Sequence, residues 1–134
     1  MKADEIGPSL LAAFARVPDV RSPHGRRYPL AALLSLATAA MLCGARSLYA
    51  IAQWGRLQPQ AVRHALGFAP AAAGGDARMP AATTLHYAFK RLDVAGFEAA
   101  LQAWALAALA PAGWQPSAIN ELSIHLSSWL PYKQ

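Results

Sequence analysis

At 134 residues the chain has room for one domain with a sizeable core. Hydrophobic residues make up 55% of it, but alanine supplies much of that share, and the scarcity of Val and Ile turns the propensity towards helix and away from sheet. A single cysteine excludes an intrachain disulfide or a cysteine-based metal site, while twelve basic against seven acidic residues, a net charge of +5, point to a polyanionic partner, of which nucleic acid is the commonest.

Met1 to Gly7 reads as a polar start. From Pro8, the residues Leu10, Leu11, Phe14 and Val17 fall on one helical face, which predicts a helix opened by Pro8 or Ser9. Val17-Pro18 ends it, because proline disfavours helical backbone in the residue before it. Pro18 to Tyr28 is a loop carrying Arg21, His24, Arg26 and Arg27 around Pro23 and Gly25. Pro29 suits the first position of the next helix. Leu30 to Ala45 is then a run of sixteen uncharged residues, which reaches about 24 Å at about 1.5 Å per residue. A bilayer needs about 20 apolar residues. The run therefore predicts a buried helix at the centre of the fold rather than a membrane span, and its place behind a polar N-terminus does not suit a signal peptide. Cys43 lies inside this run and is expected to be a small buried core residue.

Gly44 breaks the apolar helix. Ser47 is a predicted N-cap for a helix with Leu48, Ile51 and Ala52 on its inner face. A further helix is predicted from Pro59 to Leu66, with Ala61, Val62, Ala65 and Leu66 inward and Gly67 as its stop. Ala69 to Pro80 is a Pro/Ala/Gly loop, expected to be mobile. Ala81 to Leu92 has Leu85, Ala88, Phe89 and Leu92 on one side and Thr83, Thr84, His86, Tyr87, Lys90 and Arg91 on the other. Asp93 caps a last helix in which Val94, Phe97, Leu101, Trp104 and Ala108 keep a three-four spacing, ended by Pro111 and Gly113. Beyond it Leu122, Ile124 and Leu126 alternate as in a strand, whereas Ile119, Leu122, Leu126 and Trp129 approximate a helix face. Both readings of that stretch stand.

These patterns predict an all-α protein, a compact domain of about five or six helices spanning residues 8–114, with a tail at 115–134 that is unstructured or read-through sequence. Two short helices followed by one with a polar face give a helix-turn-helix-like portion from Ser47 to Leu92, although the connection before the third helix is longer than the usual turn. In that arrangement Thr83, His86, Tyr87 and Lys90 face base edges and Arg91 a phosphate; the plainer alternative is a solvated helix face. The loop arginines and histidine, Arg21, His24, Arg26 and Arg27, suit a phosphate backbone through paired donors, or else they satisfy local carboxylates, with Asp19 the nearest partner. Arg46, at the turn after the apolar run, joins the candidates for DNA contact. The histidines at 24, 64, 86 and 125 show no metal-ligand spacing, and neither a phosphate-cradling glycine loop nor a nucleophile elbow occurs, so no cofactor, metal or catalytic residue is assigned.

Several of these segments together resemble a known family. They are Val17-Pro18-Asp19-x-Arg21, Gly25-Arg26-Arg27-Tyr28-Pro29-Leu30, Gly44-Ala45-Arg46-Ser47, Ala50-Ile51-Ala52-x-Trp54, the stretch from Thr83-Thr84 to Arg91-Leu92-Asp93, and the Phe97 to Trp104 helix. In order and spacing they resemble the H-repeat-associated N-terminal domain that precedes the catalytic domain of DDE transposases of bacterial insertion sequences. The resemblance spans residues 8–114. It implies association with double-stranded DNA in transposition, at element terminal repeats, in the cytoplasm. Family members continue into a segment with Asp-Gly-Lys, whose Asp is the first of three metal-binding acids; here Ser117-Ala118-Ile119-Asn120-Glu121-Leu122 follows and no Asp occurs after Asp93. The expectation is thus a non-enzymatic, truncated or separately encoded part of a transposase. The alternative, from another class, is a protein-interaction domain that packs on a DDE catalytic domain, a full-length transposase or a second copy of itself.

Overall fold

In the computed structural model, which describes residues 3–21, 27–70, 74–115, 117 and 121, the described residues form six helices from Ala3 to Ala108. They are α1 (Ala3–Phe14), α2 (Leu30–Leu42), α3 (Leu48–Arg56), α4 (Gln60–Ala65), α5 (Ala82–Phe89) and α6 (Val94–Ala108), and the described residues include no strand. The all-helical expectation and the helix number both hold. The predicted tail lies outside the described residues except for Gln115, Ser117 and Glu121.

The uncharged helix α2 is the hub. Eleven of its thirteen residues are buried, which places it inside the fold on every side rather than along one stripe. Pro29 precedes it, as its fixed φ allows. At its far end the Ala45 N–H bonds back to the Ala40 carbonyl, 3.0 Å, and so satisfies one of the terminal acceptors. Helices α1 and α3 pack directly on α2; α4 and α6 pack on α1, and α5 packs on α3. The only buried hydroxyls at this centre among the described residues, Ser35 and Thr38, belong to α2 itself, and the Thr38 Oγ1 donates to the Leu34 carbonyl at 2.9 Å.

Local chemistry sets most of the helix ends. Ser47 accepts from the Ala50 N–H at 3.0 Å, and Asp93 accepts from the Gly96 N–H at 3.1 Å, as their N-cap positions predicted. Gly67 ends α4 with φ +102°; a Cβ there would also stand 2.7 Å from the Leu11 Cδ2, so both backbone and space call for glycine. Between α1 and α6, Phe14 and Phe97 pack with ring centroids 5.4 Å apart, and the Trp104 Nε1 donates to the Ser9 Oγ at 2.9 Å.

The structure corrects the sequence reading in several places. Helix α1 starts at Ala3 and carries Pro8 inside it, rather than opening at Pro8 or Ser9. Burial of Ile6, 7% exposed, holds the extra turn in place despite the backbone donor that Pro8 lacks. Helix α5 is shorter than its pattern. It stops at Phe89, because the chain must leave the helix in time to cap α6 with Asp93, and Lys90 and Arg91 form the turn between. Cys43 is exposed at the C-cap of α2, not buried, since Gly44 already turns the chain away from the core there.

With Leu34 only 1% exposed, Leu34→Asp places a carboxylate in the centre of the core. That burial costs several kcal/mol, a large part of the about 5–15 kcal/mol that holds a domain together. The variant is expected to be unfolded by circular dichroism at 25 °C. A cooperative thermal transition near that of the wild type would remove α2 from the core.

Candidate nucleic-acid interface

The basic side chains divide by what their guanidinium groups touch. Arg21 faces the chain itself. Its Nε and Nη2 donate to the two Asp19 carboxylate oxygens at 2.9 and 2.8 Å, and Nη2 also reaches the Tyr28 carbonyl at 2.7 Å. The side chain is only 8% exposed. It therefore ties the two ends of the predicted basic loop together, the local pairing that Asp19 suggested. His24 and Arg26 lie outside the described residues. Arg27, next to the tied Tyr28, is exposed. Arg46 sits at the opposite end of α2, about 20 Å away for thirteen residues at about 1.5 Å each. Its Nη1 donates to the carbonyls of Ala45, 3.0 Å, and Met41, 3.3 Å, where a cation suits the C-terminal end of the helix.

Helix α5 presents the remaining candidates. Leu85, Ala88 and Phe89 are buried and fix its orientation against α3. Thr83 and Tyr87, spaced i and i+4, then stand on its exposed side, with Tyr87 68% exposed, and the exposed Lys90 follows at its C-cap. His86 is half-buried, and its ring meets that of Tyr87 edge-on at 5.4 Å. Arg91 is exposed in the turn before α6 rather than on the helix. Instead of a short turn between α3 and α5, the chain makes α4 and the segment through Pro80, so the two helices that pack together are far apart in sequence.

That connecting segment holds residues the sequence reading passed over. Arg63 donates to three backbone carbonyls: Nε to Gln58 at 2.9 Å, Nη1 to Ala77 at 2.9 Å and Nη2 to Arg56 at 2.7 Å. The Gln60 Oε1 accepts from the Ala77 N–H at 2.8 Å. Both polar groups of Ala77's backbone are thereby bound, and Ala77 is 1% exposed. The predicted mobile loop is thus anchored at Ala77, and the exposed Arg78 follows the anchor directly. No local spacing announces these hydrogen bonds, which span 14 and 17 residues.

A cleft of about 390 Å³ opens between Arg27 and Arg78, and a groove of about 540 Å³ runs between α1 and α6 beside Ala12, Ala99, Ala103 and Trp104. Among the described residues no group of three His, Cys, Asp or Glu side chains is placed to hold a metal ion, and no helix is long and apolar enough to cross a membrane. The family described as DDE_Tnp_1-associated matches residues 11–105. Neither a curated protein nor a solved structure matches the chain.

Arg63→Ala is expected to lower stability by about 2 kcal/mol or more in urea unfolding, since a hydrogen bond to a charged group contributes about 1.5–3 kcal/mol and three carbonyls are deprived of their donor. Arg63→Lys recovers only part of this, because one ammonium does not reproduce the planar fork. A destabilisation within about 0.5 kcal/mol, as for an ordinary surface substitution, contradicts the anchoring role.

Proposed function

The chain belongs to the DDE_Tnp_1-associated family, and from that membership we propose that it is a DNA-binding module serving the transposition of a bacterial insertion sequence. The family's domain accompanies the catalytic domain of DDE transposases and is distinct from it. The reading assigns this chain no strand-cleaving chemistry of its own. Its partner is double-stranded DNA, with the terminal repeats of an element as the specific site, and its compartment is the bacterial cytoplasm.

The observation that carries the DNA reading is the exposed side of α5. A helix locked by Leu85, Ala88 and Phe89 presents Thr83 and Tyr87 outward, with Lys90 and Arg91 in the turn at its end. Hydroxyl groups on a rigid helix can meet base edges, and the flanking cations can meet a phosphate. Arg27 adds charge from the loop before α2. In this assignment Arg21 and Arg46 act through the backbone they bind, and they position neighbouring residues instead of touching DNA.

A second reading rests on α6. Ala99, Ala103, Leu106 and Ala107 form an exposed apolar stripe, and Leu106 is 50% exposed. An exposed apolar stripe on a helix marks a surface that is normally covered. A DDE catalytic domain, or a second copy of the chain, would cover it. The two readings are compatible in one protein, as a domain held between DNA and a catalytic partner.

A mobility-shift series at rising salt tests the first reading. The wild type is expected to shift duplex DNA weakly, with an affinity that falls steeply as salt rises, because each neutralised phosphate releases condensed counterions. Replacing Thr83 or Tyr87 with Ala is expected to alter preference among sequences by about 1–3 kcal/mol for each base-edge interaction removed, and the shifted duplex stays uncut when Mg²⁺ is added. A folded wild type that shifts no duplex at low salt, terminal repeats included, contradicts the reading and leaves protein interaction as the function.

A further inference from the structure

The cleft between the loop before α2 and the segment before α5 is lined by two arginines. Arg27 and Arg78 line it from opposite parts of the chain, with Tyr28, Pro29, Phe68 and Pro70 forming its wall. Phe68 is 2% exposed and packs its ring edge-on to Tyr28 at 5.9 Å, so the wall is fixed from behind. Among the described residues no acidic side chain lines the cleft. Arg27 and Arg78 are exposed and make no hydrogen bond or ion pair among the described residues.

Their backbones, by contrast, are held. Arg21 donates to the carbonyl of Tyr28, the residue after Arg27. Arg63 donates to the carbonyl of Ala77, the residue before Arg78, while Gln60 holds the N–H of the same residue. Gly67 contributes the tight turn that brings Phe68 under the cleft, with the Phe68 N–H bonded to the Arg63 carbonyl at 3.0 Å. One guanidinium on each side is bound to backbone, and its neighbour on each side is left facing solvent. Two cations are thus brought across one cleft without any described carboxylate between them. Such a placement repels in the empty protein and is relieved by an anion. Because the backbone on both sides is already ordered, binding an anion costs only the ordering of two side chains.

We propose that Arg27 and Arg78 form a two-sided clamp for a backbone phosphodiester of DNA, with its sugar against the Tyr28, Pro29 and Pro70 wall. The proposal deepens the DNA-binding reading and rests on it. It adds Arg78 to the interface and gives Arg21 and Arg63 the task of positioning the clamp. The planar fork of arginine suits the paired oxygens of a phosphate, and the apolar wall suits the sugar better than a bare inorganic ion.

The test compares two double variants that remove the same charge: Arg27→Ala/Arg78→Ala in the cleft, and Arg16→Ala/Arg56→Ala at exposed positions outside it. Both are checked for wild-type circular dichroism; the replaced cleft side chains hold no described partner inside the protein, and Arg27→Lys/Arg78→Lys serves as a second cleft variant that keeps the charge. Duplex affinity is measured against salt for each. The cleft variant is expected to lower the slope of log affinity against log salt by about one, at about 0.9 per neutralised phosphate, and the outside pair by less than half of that. The Lys pair is expected to keep the slope yet bind more weakly than the wild type. Inorganic phosphate, added at constant ionic strength, is expected to leave duplex binding unchanged. Equal slopes for the two Ala pairs overturn the clamp and leave DNA binding standing. Displacement of duplex by inorganic phosphate at constant ionic strength, abolished in the cleft variant, makes the site one for free phosphate and overturns the phosphodiester assignment. A wild type that binds no duplex overturns the clamp together with the reading beneath it.

Discussion

Everything in this fold answers to one helix that cannot meet water. α2 carries no charge, is buried on nearly every side, and supplies its own hydroxyls with internal acceptors where they bond at all. A helix of this kind must be wrapped, and α1 and α3 do so directly while α4, α5 and α6 cover them in turn. The hydrophobic effect then leaves the basic residues only helix ends, turns and loops. Arg46 stands at the C-terminal end of α2, Arg21 and Arg27 before its N-terminal end, and Arg63 and Arg78 around the segment that passes outside it. The distribution of charge is a consequence of the core.

Placed there, the arginines do two different things. Backbone carbonyls in turns need donors when helices leave them unpaired. Arg21, Arg46 and Arg63 supply those donors, and Arg63 serves three carbonyls at once. These side chains are cationic by chemistry but structural by the partners they hold. Sequence reasoning offered Arg21 and Arg46 for DNA contact, and the free protein gives their guanidinium groups backbone carbonyls to bind. Among the cations left facing solvent, Arg27 and Arg78 line one cleft from opposite parts of the chain.

How much of this was legible in the sequence follows from the range of each interaction. Ser47 and Asp93 were readable as caps because the N–H they accept from lies three residues on. Gly67 was readable as a stop, and the central place of α2 followed from an uncharged run too short for a bilayer. The Asp19–Arg21 pair was readable because it spans two residues. Pro8 was misread because tertiary burial of Ile6 overrode a local rule about proline. The end of α5 was misread because the cap of the next helix, not the apolar pattern, sets it. Cys43 was misread by treating the whole apolar run as core, although its last turn already leaves the interior. The bonds from Arg63 and Gln60 to Ala77 join residues 14 and 17 apart through a loop of prolines, alanines and glycines, and no spacing in the chain encodes them. For that reason the polar side of α5 could be proposed from sequence while the cleft could not.

The division of arginines is most directly tested at the guanidinium groups themselves, by nuclear magnetic resonance of the Nε–H signals with and without duplex DNA. The Nε–H groups of Arg21 and Arg63 donate to Asp19 and Gln58 in the free protein. They are expected to exchange slowly with water before DNA is added and to keep their positions afterwards. Those of Arg27 and Arg78 are expected to exchange fast in the free protein, then to shift and become protected on binding. Uniformly fast exchange in the free protein, or DNA-induced shifts centred on Arg21 and Arg63 with Arg27 and Arg78 unmoved, would contradict the account.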